Sequence, residues 1–285
     1  MNITAQQVNE LRKKTGAGMM DCKKALVEAE GDMNKAVEIL RKKGAAVAAK
    51  RAEKSANEGL VVTKLSDDKK KGAIAEVNCE TDFVAKSEDF VNLANEVIET
   101  VFNDNPSSVD ELLEKNNTLK EKVSEVLGKV GEKIEISRFA NEEAPNGILV
   151  DYIHMGSKLG VLVKFDDVAS NDNELTEIGK DIAMQIAAMN PISVSRDEIP
   201  KETIEKEIEI YKEVARKEGK PEQILDKIAT GKLNKFYQEN CLIEQSFIKD
   251  NTKTVGDLIK EFNSKYGTEV KISLFHRFHL GDENK

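Results

Sequence analysis

The chain repeats itself, and the repeat limits what its core can be. Gly59-Leu60-Val61-Val62 returns as Gly147-Ile148-Leu149-Val150, and Gly72-Ala73-Ile74-Ala75 returns as Gly160-Val161-Leu162-Val163, both 88 residues later. The helix-spaced Phe90, Leu93, Ala94, Val97 and Val101 return as Leu175, Ile178, Gly179, Ile182 and Ile186, 85 residues later. The first copy is therefore three residues longer between strand and helix, where Thr81-Asp82-Phe83-Val84 sits. Farther on, Leu119, Val123, Val126, Val130, Ile134, Ile136, Ser137 and Phe139 return as Val255, Ile259, Phe262, Tyr266, Val270, Ile272, Ser273 and Phe275, at an offset of 136. The jump in offset places an insertion of 51 residues between Met189 and Val255. Each copy reads as β-β-α-α-β. Two alternating strands form a hairpin, in the first copy around the polar turn Ser66-Asp67-Asp68-Lys69, and two helices and a third alternating strand follow. The expected fold class is α+β, with two small antiparallel sheets, each carrying helices on one face.

The first fifty residues predict three short helices. Thr4 and Gln7 make a capping box for the first, and Gly16 ends it. Gly18-Met19-Met20 reads as a tight turn before a second helix with Ala25, Leu26 and Ala29 inward. Gly31 stops that one, Asp32 caps the third, and Gly44 ends it. This arrangement resembles the ubiquitin-associated (UBA-like) fold, in which such a turn presents an apolar patch. Ala45 to Ala56 reads as a helical, solvated linker. The insertion reads as a helical hairpin. Ile204, Ile208, Tyr211 and Ala215 stripe one helix, Gly219-Lys220-Pro221 turns, and Ile224, Leu225 and Ile228 face back. The expected division is residues 1–55 for the helical module and linker, 56–141 for the first copy, 142–190 with 231–285 for the second, and 191–230 for the hairpin.

Composition removes several functional classes. No apolar run reaches membrane-spanning length, and the opening Met1-Asn2-Ile3-Thr4 lacks the basic-then-apolar order of a secretory signal. Cys22, Cys79 and Cys241 are scattered and form no CxxC pair, which suits a reducing, cytoplasmic setting and neither a disulfide framework nor a zinc site. The net charge is −9, yet residues 1–55 carry 12 Lys+Arg against 7 Asp+Glu. The remaining acidic body disfavours direct nucleic-acid binding, which needs clustered cations. His276 and His279 are three apart on a predicted strand and point to opposite faces, against a shared metal. Gly128-Lys129-Val130-Gly131-Glu132-Lys133 lacks the spacing and the Ser/Thr of a phosphate-cradling loop. The residues imply no catalytic group, no cofactor and no metal, so the chain reads as a non-enzyme.

What stands out is Asn78-Cys79-Glu80-Thr81-Asp82-Phe83-Val84-Ala85-Lys86, an acid and a large aromatic side by side in a connector. Such a phenylalanine is either tucked onto its own domain or presented to a partner. The longer connector of the first copy argues for presentation, since function gathers in loops that depart from their scaffold. The stretch resembles the signature loop of the elongation factor Ts family. Thr15-Gly16-Ala17-Gly18-Met19-Met20-Asp21-Cys22-Lys23-Lys24-Ala25-Leu26 is similar to that family's opening. The strand Gly160-Val161-Leu162-Val163 with its upstream His154, and Ile243-Glu244-Gln245-Ser246-Phe247-Ile248, extend the likeness over nearly the whole chain.

The resemblance implies guanine-nucleotide exchange on elongation factor Tu. The partner is bound in its GDP-bound and nucleotide-free states and held until GTP enters. It implies that Thr81, Asp82, Phe83 and Val84 push into the GTPase domain beside the magnesium, and that Met19, Met20, His154, Phe247 and Ile248 add partner contacts. Four of these have a plainer reading: Met19, Met20 and Phe247 as core, His154 as a structural strand-end residue. The resemblance also implies homodimers through the hairpin at 191–230 in some members; sequence alone leaves dimerisation and simple packing equal. Some members continue into a further C-terminal helix, whereas this chain closes on Gly281-Asp282-Glu283-Asn284-Lys285. The competing class is an RNA or ribosome adaptor using the basic first 55 residues. It lacks the interleaved aromatics that base stacking needs. A ubiquitin-like-domain binder rests on the first fifty residues alone.

Overall fold

In the computed structural model, which describes residues 3–168 and 172–282, the chain enters helix α1 (Ala5–Thr15) through the expected capping box between Thr4 and Gln7. Gly16 leaves it with φ 65°. Helix α2 spans Met19–Glu28 with Gly18 at its N-cap, so Met19 and Met20 form its first turn rather than a preceding bend. Asp32 accepts the amides of Asn34 and Lys35 and caps α3, which runs from Met33 to Arg51. Val8, Leu11, Cys22, Ala25, Leu26 and Ala36 make a small core among the three helices. Met1, Asn2 and residues 283–285, which carried expectations about the chain's two ends, lie outside the described residues.

The first sheet is built from β1 (Glu58–Leu65) and β2 (Lys71–Cys79). A short helix α4 (Asp82–Ala85), then α5 (Glu88–Asp104), α6 (Val109–Lys115) and α7 (Asn117–Val130) follow before β3 (Ile134–Glu143) returns beside β2. The sequence predicts a plain break at Asn105-Pro106-Ser107. Asn105 does end α5 in the left-handed region at φ 47°, but Ser108 caps α6 by accepting the Glu111 amide. Phe90, Leu93, Ala94, Val97 and Val101 of α5 face Ala73, Ala75 and Val77 of β2, as their spacing requires.

Gly44 does not end α3, which runs on to Arg51; the residues after it are helical and largely exposed, as expected of a solvated linker, with Val47 half-buried. The helix passes over α7 at Gly128, where a Cβ on Gly44 would lie 3.0 Å from the Ser124 carbonyl oxygen and 3.5 Å from Gly128 Cα. The glycine serves backbone approach rather than termination, and tertiary contact overrides its poor helix propensity. Val47 packs on the core below, and Arg41 pairs with Glu121 at 3.1 Å. Gly44→Val should therefore force the helices apart. Overpacking of this kind costs about 1–3 kcal/mol, to be read in urea unfolding; an unchanged midpoint would mean that the module does not dock here.

The second sheet contains β4 (Ile148–Ile153), β5 (Leu159–Asp166) and the last strand, with β5 central. Between β5 and that strand lie α8 (Asp172–Met189), the hairpin α9 (Lys201–Lys217) and α10 (Glu222–Asn240), a small ribbon β6 (Ser246–Phe247) and β7 (Asp250–Thr254), and α11 (Val255–Tyr266). β8 (Lys271–His279) then closes the sheet. In the first sheet Val62 faces Ala75 and Ala75 faces Phe139; in the second Val150 faces Val163 and Val163 faces Phe275. Each central pair carries a register shift, at Glu76/Val77 and at Lys164/Phe165. α10 continues past residue 230, where the hairpin's end was expected. Ala215, Leu225 and Ala229 are buried along the hairpin, but Ile224, expected to face back, is 40% exposed.

Each sheet was expected to bury one face, yet β2 is buried at eight successive positions from Gly72 to Cys79. The reason is that the two sheets pack on each other through Val61, Ile74, Leu149, Leu162 and Phe278. A Cβ on Gly160 would sit 2.6 Å from Val61 Cγ1, and one on Gly72 would sit 3.0 Å from Leu149 Cδ1. These glycines give the sheets their close approach. Thr63 donates to the Asp151 carboxylate across the same seam at 2.5 Å. At its edge Glu76, fully buried, receives the Arg138 guanidinium at 2.8 Å. Arg138 also reaches Asp282 at 2.9 Å and lies 4.4 Å from the Phe278 ring centroid. A charged pair inside the seam has no periodicity to announce it.

Candidate partner-binding site

The segment read as a loop is a capped helical turn. Thr81 takes an extended conformation (φ −127°) and its hydroxyl accepts the Val84 amide at 3.4 Å, the arrangement that starts a helix. One turn later the Ser87 hydroxyl donates to the Val84 carbonyl at 2.7 Å and accepts the Phe90 amide, starting α5. Residues 81–87 thus hold two separately capped helical starts, one for α4 and one for α5. Its base is fixed. The Cys79 side chain is buried and donates to the Thr81 carbonyl at 3.2 Å, and burial pushes its thiol up to about 12.

The two outward residues of this turn differ sharply in chemistry. Phe83 is 82% exposed. Asp82 accepts the Lys86 ammonium at 2.7 Å, and that hydrogen bond, with the charges of Lys86 and Lys158, holds its carboxyl below the usual aspartate range. The carboxylate is ionised at neutral pH and stands beside an unpacked aromatic ring. Val84 lies half-buried against the core.

The β4–β5 turn reaches the same end of the first sheet. Ser157 accepts the Val61 amide at 2.7 Å through its carbonyl, and Lys158 pairs with Glu58 at 2.6 Å. Glu58 opens β1, against which α4 rests. His154 is exposed, with Nδ1 2.8 Å from the Tyr152 hydroxyl. Met155, the next residue, is 92% exposed at the tip. The structure therefore gathers Asp82, Phe83 and His154 on one end of the molecule and adds Met155, which sequence reasoning missed. Its signal was present: an apolar residue before Gly156, in a two-strand turn that offers nothing to bury it.

The profile of the family described as Elongation factor TS matches residues 80–282. The chain is 49% identical to elongation factor Ts of Chlorobaculum tepidum over 98% of its own length and 99% of the relative's. It is 46% identical to elongation factor Ts of Clostridium perfringens (98% and 93% covered) and 45% identical to that of Chloroherpeton thalassium (99% of each). The chain belongs to the elongation factor Ts family.

The other contacts that resemblance to the elongation factor Ts family had suggested fall into two groups. Met19 and Met20 are 54% and 61% exposed on α2, so neither is core filler. Val27, also exposed, follows Met20 by seven residues and continues the stripe; its i+7 spacing was the overlooked signal. Ile248 is exposed and donates its amide to Gln185 Oε1 at 2.8 Å. Phe247 is a correction. Its side chain is 6% exposed, in the core with Ile186, Leu242 and Val255, because β6 turns it inward as it turns Ser246 out. Among the described residues, no helix is long and apolar enough to cross a membrane.

Proposed function

We propose that this chain is a guanine-nucleotide exchange factor for elongation factor Tu, acting in the cytoplasm and catalysing no covalent step. The observation that carries this reading is the Asp82–Phe83 pair: an ionised carboxylate beside an 82%-exposed phenylalanine on a short, braced turn. Phe83 is a rigid wedge that separates packed side chains of the GTPase domain. Asp82 brings a competing charge to the polar network around the partner's magnesium, and phosphates that lose their counter-charge hold GDP less well. His154 lines the same approach, while Met19 and Met20 on α2 and Ile248 beside α8 brace the complex elsewhere.

Thermodynamics fixes the rest of the cycle. Exchange factor and nucleotide weaken each other's binding by the same factor. The factor therefore stays on the nucleotide-free partner until GTP drives it off. A shift of about 10⁴-fold needs roughly 5.5 kcal/mol of differential contact, which is why contacts beyond one turn belong to the proposal.

The scaffold in this reading is a UBA-like module over residues 1–55 and a tandem duplication over 56–141 and 142–285, interrupted by the hairpin. Its support is the equal spacing of the sheet registers: Val62/Ala75 and Val150/Val163 stand 88 residues apart, and the register shifts fall at matching positions. Homodimerisation through the 191–230 region is supported by Ile210, Val214 and Ile224, which stay exposed on the hairpin. The deciding experiment is stopped-flow release of a fluorescent GDP from elongation factor Tu. Acceleration by this chain is expected; no acceleration at saturating concentration would overturn the reading and favour the adaptor.

A further inference from the structure

The exposed turn is gripped from below by groups with no role in the reading above. Thr81 donates its backbone N–H to one oxygen of Glu132 at 3.0 Å and its hydroxyl to the other at 2.8 Å. Next to it, the Glu80 carboxylate accepts the Lys133 amide at 2.6 Å with one oxygen and the Arg51 guanidinium at 2.6 Å with the other. The Lys133 amide, foremost among these partners, keeps Glu80 below the usual glutamate range. The grip is reciprocal: the side chain of residue 132 holds residue 81, and the side chain of residue 80 holds the backbone of 133. Gly131, at φ 73°, ends α7 and swings Glu132 toward Thr81.

We propose that Glu132 is a positioning residue for exchange, with Glu80 joining the end of α3 to the same clasp. This rests on the exchange reading above and extends it to residues that do not touch the partner. A single helical turn of four residues cannot hold itself, because nucleation is unfavourable and nothing propagates it. A side chain that must enter a partner at fixed geometry loses about 10²-fold for a misplacement near 1 Å. Glu132 fixes the N-cap, the cap fixes the turn, and the turn aims Asp82 and Phe83.

The test has two readouts. In the isolated protein, Glu132→Ala should speed hydrogen–deuterium exchange at the amides of 84–86 by about tenfold while the β1–β2 amides keep their protection. In the GDP-release assay the same variant should lower the maximal rate about tenfold, with a smaller change in the concentration giving half the maximum. Glu132→Gln should restore both, since its amide oxygen still accepts the Thr81 N–H and its NH₂ donates to the Thr81 hydroxyl. Should Glu132→Ala fail to fold, Glu132→Asp draws the carboxylate back from Thr81 while leaving the Thr81 cap in place, and should lower the maximal rate several-fold. Wild-type acceleration with an equally fast, folded Glu132→Ala (or Glu132→Asp) would overturn the positioning role. A wild type without effect would overturn the exchange reading itself, and a role for the clasp in exchange with it.

Discussion

Phe83→Ala should slow GDP release from elongation factor Tu by roughly 30-fold at matched concentration while leaving the protein as stable as before. The two halves of this expectation come from one number. A side chain 82% exposed contributes almost nothing to the core, so its loss belongs with surface substitutions, within about 0.5 kcal/mol. An aromatic that inserts at the centre of an interface is instead worth about 2 kcal/mol or more, and 1.4 kcal/mol is tenfold. Asp82→Ala should add to the loss, because Asp82 acts on the polar network and Phe83 on packing. Urea unfolding run beside stopped-flow release separates the cases. A strongly destabilised variant would make Phe83 a core residue, and a stable variant with wild-type release would remove the wedge.

Arg138→Met should cost about 3–5 kcal/mol of stability, the usual result of breaking a buried ion pair. Glu76 is fully buried and faces the guanidinium at 2.8 Å, and the same guanidinium binds Asp282 at 2.9 Å. The double variant Glu76→Met, Arg138→Met should recover much of the loss, since an apolar pair of similar volume suits the seam. Equal midpoints for wild type and Arg138→Met would show that the pair contributes nothing. Asp282 supplies a pH signature. Burial works to raise its carboxyl, but the Arg138 hydrogen bond, the His279 amide and the charges of Arg138 and Arg277 outweigh it and leave the value depressed. Its contribution is therefore present above the unfolded value near about 4 and fades as pH falls through the lower folded value. Arg138→Met should flatten that acid limb.

The repeat made the two sheets legible, because strand register depends on alternation and the same alternation recurs. Caps were legible too: Thr4 and Asp32 each sit where the sequence places a helix start. Misreadings came where a residue serves a distant neighbour. Gly44 looks like a stop in sequence, but its use is to meet Gly128. Phe247 looks available beside Ile248, but a two-residue strand turns it into a core assembled from the second sheet and the helices α8 and α11. At the candidate site, Asp82 and Phe83 could be picked out because their connector departs from its counterpart. Glu132 could not, since nothing in its own neighbourhood records that it holds Thr81 from 51 residues away. Met155 carried a local signal, an apolar residue at a hairpin tip.

The pairing of β5 with β8 also bears on how the chain is made. β2 meets β3 by residue 143, but β5 waits for a strand that begins at Lys271. During synthesis the first sheet can close early, yet its inner face, with Val61 and Ile74, has no complete sheet to rest on. β5 meanwhile presents an open edge to whatever chain is near. Closing so long a loop is slow, so this is the stage at which a nascent chain is most open to mispairing. The second sheet is thus committed only when β8 leaves the ribosome, and lesions in β8 should appear as poor yield during synthesis before they appear as a lower melting temperature in purified protein.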